Sequence, residues 1–282
     1  MNYKLKLGFI GQGWIGKNYA DYYEEKGFEI VRYALEKKYK KNSHKIKDCA
    51  IVFIAVPTST TKRSFDDSTL ETVLTKVADG RIAVIKSTVL PGTTEKMQQL
   101  YPDKIIIHAP EFLTEKTAEY DTKYPKRNII GYADERGEAA AREVMKIFPP
   151  APYKAILPAK EAELIKYAGN CWFYLKVVYI NMLYDLAQQL GIDYESIREA
   201  LSYDTRIGHT HLEPIHKSGR GAGGHCFIKD FAAFSKFYAQ QLPQDSAGRA
   251  VLGRLEKKNI ELLKSTDKDL DLLKGVYGGS IF

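Results

Sequence analysis

Residues 11–16 read GQGWIG and stand between an apolar run, KLKLGFI (4–10), and a helix-like stretch, NYADYYEEKG. Three glycines at this spacing, directly after a strand and opening a helix, leave few folds open. Gly11 permits the tight turn, Gly13 lets the backbone approach a bound group, and Gly16 allows close helix–strand packing. The helix start adds unsatisfied amide donors and the positive end of its dipole. Together these predict a strand–helix unit that cradles the pyrophosphate of a dinucleotide. An acid expected about 20 residues further on, to hold the ribose, is displaced. Ala34 stands in its place, with Glu36 two residues later. Glu36 is one candidate for the ribose hydroxyls, whereas Arg32, Lys37 or Lys38 would favour a 2′-phosphate.

Further apolar runs repeat the strand signal: FEIVRYA (28–34), CAIVFIAVP (49–57), RIAVIKST (81–88), KIIIHAP (104–110) and NIIGYA (128–133). Helical segments such as STLETVLTKVADG lie between several of them, and the strands are apolar on both faces. That alternation predicts an α/β chain with a Rossmann-like, doubly wound parallel sheet. The connection at 36–47 is short, so its crossover helix should be reduced or absent. The proline-rich IFPPAPYKAIL (147–157) marks a change of regime. Beyond it, residues 159–191 form one long, mostly apolar helical pattern ending at Gly191. A second helix, 193–204, starts at an acidic cap, and KDFAAFSKFYAQQL and AGRAVLGRLEKKNIELLK follow. The expected division is a nucleotide-binding domain over 1–155 and an all-helical domain over 156–282, built on the long helix. That helix is broad enough to serve a subunit interface, so a homodimer through 159–191 is expected.

Composition narrows the class. Hydrophobic residues make up 44% and charged ones 27%, and no run approaches the ~18 apolar residues of a membrane span. The N-terminus runs straight into structure without a signal-peptide pattern, so the expectation is a cytoplasmic protein with no membrane partner. Three scattered cysteines, Cys49, Cys171 and Cys226, argue against a disulfide framework and leave room for a reactive thiol. No CxxC or HExxH accompanies them, so no metal site is expected, and His209, His211 and His216 read as a solvated loop. The net charge of +7 and the lysine-rich EKKYKKNSHKIK (36–47) come with no nucleic-acid-binding motif. They suit a solvated connection and phosphorylated substrates.

Six ordered stretches carry a resemblance: AIVFIAVPTS (50–59), IKSTVLPGTT (85–94), APEFLTEKTAEYDTKYPKRNIIG (109–131), AELIKYAGN (162–170), DTRIG (204–208) and GRGAGGHCFIKD (219–230). The set resembles the UDP-glucose/GDP-mannose dehydrogenase family, from about residue 4 to 235. The resemblance implies two hydride transfers to NAD, taking the C6 alcohol of a nucleotide sugar such as UDP-glucose to a carboxylate. Such a reaction needs a nucleophile to hold the aldehyde, and Cys226 matches the family's thiol. Cys49 and Cys171, on an apolar strand and an apolar helix, read as structural. Lys166 and Asn170, four apart on one helix, match the pair that stabilises oxyanions; Asp230 matches the acid working through an ordered water. Glu111 resembles the general base for thioester hydrolysis, and Thr88 the hydroxyl that holds the water.

By the same resemblance, the cofactor would lie against Gly11, Gln12, Gly13, Trp14, Ile15, Gly16, Glu36, Val56, Pro57, Thr58, Thr88, Glu115 and Lys229. Lys229 would also favour the Cys226 thiolate. Phe112, Leu113, Thr114, Glu115 and Gly223 would line the sugar with Lys166 and Asn170, and Arg206 would reach the substrate of a neighbouring subunit. The alternatives are the same chemistry on GDP-mannose or UDP-N-acetylmannosamine, or an NAD-binding module without catalysis. The chain departs from the family around the thiol, where Arg220, Ala222, His225 and Ile228 replace Pro, Phe, Ser and Pro. Arg220 would be an added phosphate ligand, and EPIHKSG lengthens the loop before the thiol. The family's third domain, which grips the nucleotide, is expected to be largely missing after DLDLLKGVYGGSIF.

Overall fold

Short runs of Ile, Val and Phe between polar connections become strands, and those at the centre of the sheet are buried on both faces. In the computed structural model, which describes residues 5–60 and 65–279, seven of them form one sheet. They are β1 (Lys6–Ile10), β2 (Glu29–Tyr33), β3 (Ile51–Ile54), β4 (Ile82–Ile85), β5 (Ile105–His108), β6 (Arg127–Tyr132) and β7 (Tyr153–Pro158), in spatial order β2-β1-β3-β4-β5-β6-β7. The first candidate strand reached back to Lys4, which lies outside the described residues. The chain divides into two units. Among the described residues, the first holds 5–58 and 66–166, and the second holds 59–60, 65 and 167–279.

In the first unit β2, β1, β3, β4 and β5 run parallel, with Leu7 opposite Ile51 and Ile51 opposite Ile82. Helix α1 (Trp14–Glu25) turns Tyr19, Ala20, Tyr22 and Tyr23 onto this sheet. Phe53 is stacked on Phe9 at 5.0 Å and on Tyr23 at 5.4 Å, so the core centres on three rings. Each such ring contributes about 2–3 kcal/mol by burial, and Phe53→Ala would cost about 3–5 kcal/mol. Between β2 and β3 the crossover shrinks to one turn, Lys37–Lys40, and a 3-10 segment, Ser43–Asp48, that buries Ile46. Helices α2 (Ser68–Leu74), α3 (Thr93–Leu100), α4 (Ala118–Lys123) and α5 (Glu135–Ile147) fill the remaining connections.

The sheet is parallel only as far as β5. β6 runs antiparallel to it, pairing just Ile107 with Tyr132 and His108 with Gly131, and β7 follows β6 in parallel. The short α4 does not carry the chain back across the sheet, so β6 begins at the end where β5 stops. The loop from Ala109 to Tyr124 therefore stays at the carboxyl end of the parallel strands, where open α/β sheets bind ligands. The proline-rich boundary hid β7, because an edge strand with the exposure of Tyr153–Pro158 has no apolar alternation. Gly131 on β6 lets helix α6 (Ala159–Leu190) approach closely. A Cβ there would lie 2.7 Å from Ala162 Cβ and 2.9 Å from Ala159 Cα.

Helix α6 ends at Gly191 with φ +65°, a left-handed stop that favours glycine. In the second unit Asp193 caps α7 (Tyr194–Tyr203) by accepting from Glu195 N. Asp245 likewise caps α9 (Ser246–Lys264) from Gly248 N. Helices α8 (Gly224–Gln241), α9 and α10 (Leu270–Tyr277) close over Ile228, Ala232, Leu263, Leu273 and Val276. Tyr174 of α6 stacks on Phe231 of α8 at 3.9 Å. Among its described residues, the regular structure of this unit is helical apart from short two-residue strands, including an antiparallel ribbon, Ile215–His216 with Gly219–Arg220, ahead of α8. Among the described residues, no helix is long and apolar enough to cross a membrane.

Candidate active site

The glycines of the first turn divide into two kinds. Gly11 has φ +90° and donates to Tyr33 O at 2.9 Å; a Cβ on it would meet Ala55 O at 2.1 Å. A Cβ on Gly16 would meet Gly11 O at 2.0 Å, so both are required by packing. Gly13 is different. It caps α1 in extended conformation, and a Cβ there would meet nothing within 4 Å. The open face lies beside the first-turn amides of Trp14, Ile15 and Gly16, and no acidic side chain in that turn competes for them. Gln12 donates to Gly11 O, leaving its buried Oε1 unpartnered. This cradle fits a pyrophosphate.

Of the other expected cofactor positions, Val56, Pro57, Thr58 and Thr88 fall at the carboxyl ends of β3 and β4. Ser87 Oγ donates to Val56 O at 2.7 Å and accepts from Val56 N, while Thr58 Oγ1 donates to Thr88 O at 2.7 Å. These bonds stitch the Val56–Pro57–Thr58 turn to Thr88. Glu36 opens the turn after β2, its carbonyl accepting from Tyr39 N and Lys40 N. Arg32 is engaged elsewhere, held by Asp21 and Glu24 at 2.6 Å each.

At the end of β5 the chain brings Glu111 to Lys166, one turn beyond Ala162 on α6. Glu111 Oε1 accepts from Lys166 Nζ at 2.9 Å, with side chains only 3% and 7% exposed. Its Oε2 accepts from Leu113 N at 2.7 Å, so the carboxylate is held at both oxygens. Phe112 lies beneath two cations, with the Arg127 guanidinium 3.7 Å and Lys166 Nζ 5.7 Å from the ring centre. Thr114 N donates to Asp121, and Glu115 opens an exposed 3-10 turn.

Two further groups here escaped the sequence reading. Lys86, 2% exposed, donates to Ala109 O at 3.0 Å and lies 4.1 Å from the ring centre of Tyr19. Burial pushes its pKa down to about 7, against the pull of Glu111. His108 is wholly buried and held neutral, its pKa pushed down to about 3 by burial and then by the charge of Lys86. A lysine ending the apolar run IAVIK, at the carboxyl edge of the sheet, was the available signal for Lys86.

The second unit holds the thiol. Cys226 is the third residue of α8 and half-buried; Lys229 and Asp230 follow one turn later. Asp230, 1% exposed, accepts from Lys229 Nζ at 2.5 Å on one oxygen and from Asn170 Nδ2 at 2.6 Å on the other. Gly223 precedes the helix, and a Cβ there would lie 2.1 Å from Asp269 Oδ2. Cys49 and Cys171 are buried, and burial raises both thiols, Cys49 to about 11. None of the three cysteines is in a disulfide.

Two expectations, those for Arg220 and His211, change with these surroundings. Arg220 binds Asn181 and, at 2.6 Å, Asp185, so its guanidinium is engaged within the fold rather than presented to a phosphate. His211 is not solvated but stacks on Phe173 at 4.4 Å. Arg206, 88% exposed, folds back on Asp204 at 2.6 Å. No group of three or more metal-ligating side chains occurs among the described residues.

Comparison with known proteins agrees with this layout. Residues 22–149 match the NAD binding domain of the UDP-glucose/GDP-mannose dehydrogenase family, and residues 160–251 match its central domain. The chain is 30% identical over 276 residues to the UDP-glucose 6-dehydrogenase YwqF of Bacillus subtilis (strain 168), covering 89% of this chain and 57% of that protein. A similar relative, TuaD of the same strain, is 29% identical and is covered to 52%, so the chain spans about half the length of these curated relatives. Among solved structures, a UDP-glucose dehydrogenase from the hyperthermophilic archaeon Pyrobaculum islandicum is similar. It has a TM-score of 0.76 at 27% identity, over 94% of this chain and 71% of that one. With the glycine cradle, the mostly parallel sheet and both domain matches in chain order, the protein belongs to the UDP-glucose/GDP-mannose dehydrogenase family, and its cofactor is NAD.

Proposed function

We propose that the chain oxidises the C6 hydroxyl of a nucleotide sugar to a carboxylate, UDP-glucose to UDP-glucuronate, consuming two NAD+ and one water. NAD supplies the acceptor for both hydrides. Cys226 Sγ adds to the aldehyde carbon left by the first oxidation and holds it as a thiohemiacetal. Loss of the second hydride turns that adduct into a thioester, and water splits it into carboxylate and thiol. Lys166 and Asn170 are assigned to the oxyanions by charge and amide donor. Glu111 takes a proton from the attacking water, which Thr88 helps to hold, and Asp230 moves protons during the oxidations.

The observation that carries this reading is the carboxylate of Asp230, one turn after Cys226, bridged between Lys229 and Asn170. A buried acid fixed at both oxygens, beside a half-buried thiol, is an arrangement for chemistry more than for packing. Gly11–Gly16, with Gln12, Trp14 and Ile15, would hold the pyrophosphate, and Glu36 the ribose. Val56, Pro57, Thr58, Glu115 and Lys229 complete the proposed cofactor contacts; Phe112–Glu115 and Gly223 complete those to the sugar.

A second copy of the chain is the proposed partner, with Arg206 reaching its substrate. Trp172, Tyr179 and Leu186 recur every seven residues on α6 and are all exposed, as are Met182 and Leu190. An apolar stripe of this length suits a helix–helix dimer. Tyr179→Glu should convert a dimer to monomer by light scattering; a monomeric wild type would end the dimer proposal. The cytoplasm, which keeps thiols reduced, is the proposed compartment.

The deciding experiment supplies purified chain with UDP-glucose and NAD+. Two NADH per sugar and a carboxylate product are expected, with turnover stalled by Cys226→Ser. Turnover of GDP-mannose or UDP-N-acetylmannosamine instead would keep the chemistry and move the substrate. NAD binding without NADH formation from any nucleotide sugar would refute the catalytic reading.

A further inference from the structure

The run from Gly219 to Gly224 leads into the cysteine helix, yet it has almost no side chains with which to hold itself. Glycine-rich backbone loses the most conformational freedom on ordering, so something else must fix it. The groups that do so come from the end of the chain, beyond residue 251 where the central-domain match stops. Ala222 N donates to Asn259 Oδ1 at 2.7 Å, and Asn259 Nδ2 donates to Ala222 O at 3.0 Å. Arg220 N donates to Thr266 Oγ1 at 3.0 Å. Lys268 Nζ donates to Gly219 O at 3.2 Å and Gly221 O at 3.0 Å, and Gly224 N donates to Asp269 Oδ2 at 2.7 Å.

The fit is close. A Cβ on Gly219 would lie 2.2 Å from Thr266 Oγ1, and one on Gly223 would lie 2.1 Å from Asp269 Oδ2 and 2.8 Å from Lys268 Cε. Asn259 is 1% and Lys268 5% exposed. Burying an ammonium is costly, and the residues on either side of it, Asp267 at φ +51° and Asp269 at φ +54°, adopt a left-handed backbone. The helices of this unit already close over Ile228, Ala232, Leu263, Leu273 and Val276. A strained turn carrying a buried charge adds little to that apolar core. What it adds is a defined path for the glycine run.

We propose that Asn259, Lys268 and Asp269 are positioning residues for the Cys226 loop, setting where the thiol stands by gripping the backbone of Gly219–Gly224. The inference rests on Cys226 being the nucleophile. It assigns the segment 259–269 a part in catalysis without contact to substrate. Arg220, which stands where the family has proline, belongs to the same grip through its amide. Its guanidinium bonds to Asn181 and Asp185 then anchor the loop from the other side.

The test uses the full chain with Lys268→Met, Asp269→Ala, Asp269→Asn and, as control, the exposed Lys264→Met. Hydrogen exchange is followed over residues 217–227 and over α8 and α9, alongside initial rates with NAD and a nucleotide sugar. Lys268→Met should speed exchange of the loop amides about tenfold while exchange in the two helices holds. It should lower kcat about tenfold with the KM for NAD unchanged. Asp269→Asn keeps an oxygen for Gly224 N and should retain more of both properties than Asp269→Ala; Lys264→Met should change neither. Unchanged loop exchange in Lys268→Met, or a rise equal in loop and helices, overturns the proposal. Loosened loop exchange with full kcat overturns it as well. If the wild type turns over no nucleotide sugar, the catalytic reading fails, and exchange alone still decides whether the grip exists.

Discussion

Glu111 in the first unit and Asp230 in the second are held in the same way. Each carboxylate gives one oxygen to a lysine and the other to an uncharged N–H: Glu111 to Lys166 and Leu113 N, Asp230 to Lys229 and the Asn170 amide. They differ in what surrounds the lysine. Lys166 is 7% exposed, whereas Lys229 is 22% exposed and adjacent in sequence to its partner. They differ too in the uncharged donor, backbone in one case and side chain in the other. The Glu111 pair therefore stands or falls as a unit, because water cannot replace a missing lysine. The Asp230 arrangement can be taken apart one donor at a time.

The comparison is broken most directly by Lys166→Met, which strands a buried carboxylate and should lower unfolding free energy by about 3–5 kcal/mol in chemical denaturation. Lys86 gives a pH signature in the same region, on the order of a few kcal/mol. Below about pH 7 it is charged both folded and unfolded, and the folded chain carries the whole burial cost. Between about 7 and the ordinary lysine value of 10.5 the unfolded chain binds more protons, so this cost is relieved as pH rises. Stability of the wild type relative to Lys86→Met should therefore climb from pH 7 to pH 10; a flat difference would refute a buried ammonium there.

Asn170→Ala leaves one oxygen of Asp230 without a donor and should cost about 1–3 kcal/mol. Lys229→Met should cost less than Lys166→Met, because Lys229 is 22% exposed and its removal opens the buried Asp230 carboxylate to water; a loss equal to that of Lys166→Met would erase the distinction between the two sites. The smallest effect on folding belongs to Gly13, on the open face of the cofactor cradle. Gly13→Ala places its Cβ in open space, so the unfolding midpoint should hold while the KM for NAD rises about tenfold. Gly11→Ala, whose Cβ would meet Ala55 O at 2.1 Å, should unfold the turn itself.

Much of the sheet was legible because buried parallel strands are continuous apolar runs, and IVFI or IAVI has no other comfortable place. The long helix was legible to within a residue at its end, since Gly191 stops it in a left-handed conformation. The reversal at β6 was not, because strand direction leaves no trace in a run such as RNIIGY. It depends on whether the preceding connection recrosses the sheet. The candidate site shows the same split. Cys226, Lys166, Asn170, Asp230 and Glu111 were named from motifs, but no motif tells which donor holds which oxygen. Lys86 was passed over because a single lysine after an apolar strand reads as its soluble end.

By itself the sequence determined the local events: the glycine turn, the apolar strands, the capped helices and the residue types available for chemistry. These depend on neighbours a few positions apart, where backbone sterics and side-chain period decide the outcome. Only the tertiary structure decided the pairings over long separations. Glu111 meets Lys166, Asn170 meets Asp230, and Lys268 meets the carbonyls of Gly219 and Gly221. Buried polar groups must find partners wherever the fold brings them, and that demand is met in space and not along the chain.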